Sequence, residues 1–199
     1  MLKSQLGELF VKSLCMSLLL LLTCHNAAAL EVAPIKNPET GMLSWLVNEP
    51  KVSLKLVQLL PDYVTAVFSS RGLPPQVVNT LKDYCVFGTI VKNKSASTLA
   101  YRIADWRYVT PDGQEHALKT KTEWVKQWEV MGAPYRWLFL PDDQTFEIGD
   151  WSQGFTTIKL PPNSTFNLNY SWRYQGETHQ RTLKNLRCAP TTIPSSGKG

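Results

Sequence analysis

The chain has no Cys-x-x-Cys pair, no Gly-x-Ser-x-Gly turn and no glycine-rich phosphate loop. Those absences remove the usual redox, serine-hydrolase and nucleotide-binding signatures. Histidine is scarce, at three residues in 199. Only His116 and His179 lie beyond the first 29 positions, and neither has a second ligand type at a recognised metal-binding spacing. No block of like charges occurs, which excludes a basic nucleic-acid arm. No apolar run reaches the roughly 20 residues of a membrane-spanning helix. There is no internal repeat and no alternation of strands with long helices, so a parallel α/β sheet is not expected.

The N-terminal stretch has the composition of a targeting segment. Lys3 and Lys12 flank a charged start, Leu14–Leu22 is apolar, and Ala27-Ala28-Ala29 offers a small-residue cleavage site. A signal peptide over residues 1–29 is therefore expected, with periplasmic or secreted localisation; lipidation at Cys24 is a weaker alternative because Thr23 precedes it. Loss of Lys3, Lys12 and Glu8 would lower the net charge from +5 to +4. So mild an excess suits peripheral attraction to an anionic membrane surface and gives no reason to expect nucleic acid as a partner. Cys85 and Cys188 are the only cysteines outside this segment. In an exported chain such a pair most simply forms one structural disulfide.

Alternation dominates the rest. Phe166, Leu168, Tyr170, Trp172 and Tyr174 share one strand face, and Asn167, Asn169, Ser171 and Arg173 the other. That is the pattern of a strand with one buried face. Further strands are expected at Val52–Leu60, Tyr63–Ser69, Cys85–Lys92, Leu99–Val109, Gln114–Thr120, Tyr135–Leu140, Phe146–Ile148, Phe155–Leu160 and Leu183–Cys188. Short helices are expected from Pro75 to near Tyr84 and over Thr122–Met131, where Trp124 and Trp128 recur at helical spacing. Residues 30–50, rich in proline, read as an extended arm; residues 51–188 as the folded domain; residues 189–199 as a flexible tail. Many short strands with frequent turns favour an antiparallel β-sandwich with two short helices. The segment Val86–Asn93, the hairpin from Trp106 to Asp112-Gly113 and the turn Leu160-Pro161-Pro162-Asn163-Ser164 together resemble bacterial exported immunoglobulin-like modules. The resemblance implies an immunoglobulin-like sandwich and says more about architecture than activity.

Five residues stand out as binding candidates. Asp150, Trp151 and Gln153 fall between Gly149 and Gly154, in an expected loop that combines a carboxylate, an indole and an amide. Such a loop suits a sugar or peptide, and equally a tryptophan plug over the end of a sandwich. Arg71 precedes the expected helix at Pro75 and would fit an anion there or pair with a structural acid such as Asp83. Trp106, between Asp105 and Arg107 on an expected long strand, is the fifth. His116 and His179, with Met42 or Met131, form the alternative of a copper site, against exposed turn histidines as the plainer reading. The trio Asp142, Asp143 and Asp150 has the residue type of paired catalytic acids, but no feature of the sequence places them across one cleft. The function expected is a non-catalytic exported binding module for an envelope protein or glycan, without a cofactor. The alternatives are a metal-handling protein and a small envelope hydrolase.

Overall fold

The computed structural model describes residues 28–192. The expected signal peptide therefore lies outside the described residues up to position 27, and the expected tail does so from position 193. In chain order the strands are β1 (Ala28–Leu30), β2 (Ile35–Lys36), β3 (Leu43–Asn48), β4 (Val52–Leu59), β5 (Cys85–Asn93), β6 (Leu99–Arg102), β7 (Arg107–Val109), β8 (Glu115–Ala117), β9 (Asp143–Phe146), β10 (Trp151–Ile158), β11 (Thr165–Tyr174) and β12 (Glu177–Arg187). The helices are α1 (Pro61–Ser70), α2 (Pro75–Val78) and α3 (Lys121–Val130).

The protein is mainly β, with two sheets and few helices. Sheet I has seven strands along the path β1-β12-β11-β6-β9, with β7 paired to β11 and β8 to β7. Sheet II has five, in the order β10-β5-β4-β3-β2. The inward face of β11 is as expected, while Ser171, expected on the wet face, is buried. Phe166, Leu168, Tyr170, Trp172 and Tyr174 are buried, and they share a core with Trp45, Leu54, Leu56, Phe87 and Val91 of sheet II. Phe87 meets Phe166 edge-on across the two sheets, with centroids 5.8 Å apart. Burial of these large groups is the main source of stability, at about 1.5–3 kcal/mol for each fully buried large apolar side chain.

Cys85 at the start of β5 and Cys188 just past β12 form a disulfide, with Cα atoms 5.3 Å apart and a sequence separation of 103. It ties sheet II to sheet I.

Several expectations change. Tyr63–Ser69, read as a strand, belongs to α1. Pro61 opens that helix, and Val64 and Phe68, four residues apart, bury one helical face. The apolar and β-branched composition fits both structures, and the helical period is the one the neighbouring helices reward. Leu99–Val109 is not one strand. A 3₁₀ turn at Ile103–Asp105 resets the phase, so Tyr101, Ile103, Trp106 and Tyr108 all point into the core instead of splitting between faces. The expected strand at Tyr135–Leu140 shrinks to a parallel bridge between Phe139 and Phe155. Residues 30–50 supply more than an arm: Leu43–Asn48 pairs with β4, and Trp45 is fully buried. Sheet I is not purely antiparallel, because β1 lies parallel to β12. No hairpin joins those two strands, so nothing local dictates their direction.

A third layer covers part of sheet II. The helix α3 is capped by Thr120 and begins at Lys121, one residue before the start expected at Thr122. Thr120 and Glu123 close a reciprocal capping box, and Asp142 accepts the Lys121 and Thr122 amides at 2.5 and 2.9 Å. Trp124 and Trp128 then face inward, with their indole N–H groups donating to Thr157 and Thr80 at 3.0 Å each. They pack with Phe68, Val77, Val86 and Phe139 in a second apolar cluster.

Candidate functional site

Strand β10 positions the most site-like surface. The segment expected as a loop is its first half: Trp151, Gln153 and Phe155 alternate onto the face turned away from the core. Register across sheet II extends that face in three rows. Phe155 aligns with Gly88, Val57, Ser44 and Ile35; Gln153 with Ile90, Lys55 and Leu46; Trp151 with Lys92, Ser53 and Asn48. The helical layer reaches only the end near Phe155, where Phe68 packs on Phe155 at 5.7 Å. The other two rows are bare. Trp151 is 56% exposed, and Leu46 is exposed too; in the first row, Ile35 at the far end is also exposed.

A groove of about 400 Å³ runs along this face, lined by Val57, Ile90, Leu138, Gln153, Gly154 and Phe155. Its floor is Gly88, where a missing side chain leaves room between Val57 and Phe155. Lys55 and Lys92 are the charged groups of the three rows, and the rows contain no carboxylate. Apolar and aromatic surface beside two unopposed ammonium groups suits an acidic or amphipathic ligand.

The other candidates separate. Asp150 is structural: its carboxylate accepts the Glu147 amide at 3.1 Å and its carbonyl accepts the Asn93 amide at 2.9 Å. Trp106 is 1% exposed and donates its indole N–H to the Ser171 carbonyl at 3.1 Å, so the expected binding role gives way to a core role. Arg71 is exposed at the C-terminal cap of α1, on the helical layer. His116 stacks on Tyr108 from β8, while His179 stacks on Trp172 from β12. Strands β7 and β11 stand between them, which at about 4.8 Å per strand separates the two backbones by about 14 Å. They do not share one ion, and among the described residues no group of three or more His, Cys, Asp or Glu side chains is placed to hold a metal. Asp142 is spent on the cap of α3 and does not face Asp150 across a cleft.

Lys55, Lys92, Ile90 and Leu46 were not singled out from the sequence. Their signal was present, because Val52, Leu54 and Leu56 alternate inward and so turn Ser53, Lys55 and Val57 outward. What was missing was the lateral register that sets them beside Trp151.

No family model matches the chain, and no curated protein does. Among solved structures, the chain has a likeness to a proposed lipoprotein, ycdA, of Bacillus subtilis, with a TM-score of 0.39 and 14% identity over 70% of this chain and 38% of that one. A second likeness is to a DUF4426 family protein of Pseudomonas aeruginosa, with a TM-score of 0.38 and 10% identity over 74% of this chain and 95% of that one. The chain thus spans well under half the length of the Bacillus protein.

Proposed function

We propose that the protein is an exported binding module without catalytic activity, an immunoglobulin-like sandwich with an added helical layer, which holds a protein partner on the bare face of sheet II. Periplasmic or secreted localisation is supported by the disulfide, since such links persist in oxidising compartments. The immunoglobulin-like reading is supported by two sheets packed over one aromatic core and tied by a disulfide between them. The observation that carries the functional reading is the position of Trp151. Five of the seven tryptophans are buried to 4% exposure or less; of the two exposed ones, Trp137 at 71% lies in the segment before the Phe139 bridge, whereas Trp151 at 56% stands on a strand, beside Lys92 and two residues from Gln153 of the groove. An exposed indole on an uncovered sheet face is the kind of group that anchors an interface.

The test is titration of envelope protein fractions and purified envelope glycans against the wild type, Trp151→Ala and Lys92→Glu. Protein binding weakened at least tenfold by each substitution is the expected result. Glycan binding lost with Trp151→Ala and indifferent to Lys92→Glu would move the reading to a carbohydrate partner. Wild-type binding by Trp151→Ala would remove the face from consideration.

A further inference from the structure

Strand β10 is the outer strand of sheet II, and its free edge is paired only at one end. There the Phe155 amide donates to the Leu138 carbonyl at 2.6 Å, and the Phe155 carbonyl accepts the Leu140 amide at 3.0 Å. Both main-chain groups of Phe155 thus point away from β5. In an antiparallel ladder, residues two apart point the same way, so the main-chain groups of Gln153 and Trp151 also face outward. Among the described residues no hydrogen bond occupies them.

Natural sheets protect such edges with charge, proline, a bulge or very short strands. The other outer strands follow that rule. β1 has three residues and β2 has two, β9 begins at Asp143, and β8 carries Glu115 and His116. The sequence of β10, Trp-Ser-Gln-Gly-Phe-Thr-Thr-Ile, has neither charge nor proline over eight residues. Its open half lies against the groove walled by Leu138 and Gln153, beside Lys92 and Lys55.

We infer that β10 binds its partner by strand addition: an extended peptide segment pairs with the Trp151–Gln153 edge, lays apolar side chains against Trp151 and the Leu138 wall of the groove, and reaches a carboxylate over β10 toward Lys92. The segment is acidic and amphipathic because the three rows offer two ammonium groups and no carboxylate. Main-chain bonds supply affinity and alternate side chains supply selectivity, as in other strand-addition complexes. This rests on the bare face being the binding face, and names the partner's conformation and chemistry.

The experiment uses three eight-residue probes, read by tryptophan fluorescence and by amide hydrogen exchange. One alternates valine with glutamate, the second alternates valine with lysine, and the third is the glutamate peptide with N-methyl groups on alternate residues. The glutamate peptide should bind, slow exchange at the Gln153 amide, and weaken at least tenfold on N-methylation, with Lys92→Glu or with Gln153→Pro. That proline removes only an outward-facing N–H, so the ladder to β5 is kept. Equal binding of the N-methylated peptide would overturn strand addition while leaving the face as a binding surface, and so would preference for the lysine peptide. No binding of any peptide, with Trp151-dependent capture of an envelope protein retained, would overturn the inference alone. Loss of Trp151 dependence for every ligand would overturn both.

Discussion

The indole of Trp124 lies flat against the ring of Phe139, with planes 4° apart and centroids 5.5 Å apart. Trp124 comes from α3 and Phe139 from the segment that bridges to β10, so this stack fixes where the helical layer stops. On one side of it the outer face of sheet II is core. On the other it is open surface.

Gly154 guards that boundary. A Cβ built there would lie 2.2 Å from the Leu140 nitrogen, a backbone atom that cannot swing aside. Gly154→Ala should therefore destabilise the fold by about 1–3 kcal/mol, the usual range for overpacking, and speed exchange at the Leu140 amide. Gly88→Ala is the control. Its Cβ would meet Val57 at an ordinary 3.8 Å, so urea unfolding should change little.

Reducing the disulfide, or replacing both cysteines with serine, removes a link that closes a loop of about 100 residues. The loss expected is about 2–5 kcal/mol, seen as a lower urea midpoint. The reductant should have no effect on the double serine variant.

Tyr101 and Tyr170 are buried, and burial raises the pKa of each phenol well above its ordinary value. For a group whose pKa is raised by folding, the stability it contributes is complete below the unfolded pKa. It is lost as pH rises through the folded one. Alkaline titration followed by phenolate absorbance should show these two of the seven tyrosines ionising only as the fold opens. Smooth titration of all seven before unfolding would contradict their burial.

The Glu123 carboxylate accepts the Thr120 amide at 2.7 Å, and those bonds hold its pKa below the ordinary carboxylate range. Its contribution is present above the unfolded pKa and fades as pH falls through the folded one. Glu123→Ala should cost about 1 kcal/mol near neutral pH, typical of a lost cap interaction, and the difference from wild type should shrink in acid. Parallel urea titrations at neutral and acidic pH check it.

Trp151→Ala should leave the melting temperature within about a degree of wild type, because surface changes outside structural features fall within ±0.5 kcal/mol. A large drop would mean that Trp151 supports the fold and does not serve a partner.

Local pattern alone is enough to give the strand Phe166–Tyr174, the inward face of β4, the helix carrying Trp124 and Trp128, and the cysteine pairing. Each is local or nearly forced: a period of two or 3.6 can be counted along the chain, and two thiols leave one choice. Tertiary structure decided the rest. Tyr63–Ser69 has a composition that fits strand or helix, and only its neighbours select the helix. Trp106 and Trp151 are both flanked by polar and charged residues, yet one is core and the other surface, because a 3₁₀ turn shifts the phase before Trp106 and a sheet edge leaves Trp151 uncovered. Lys55 and Lys92 join Trp151 through register between strands far apart in sequence, and no pattern within a single strand encodes which residues become neighbours across a sheet.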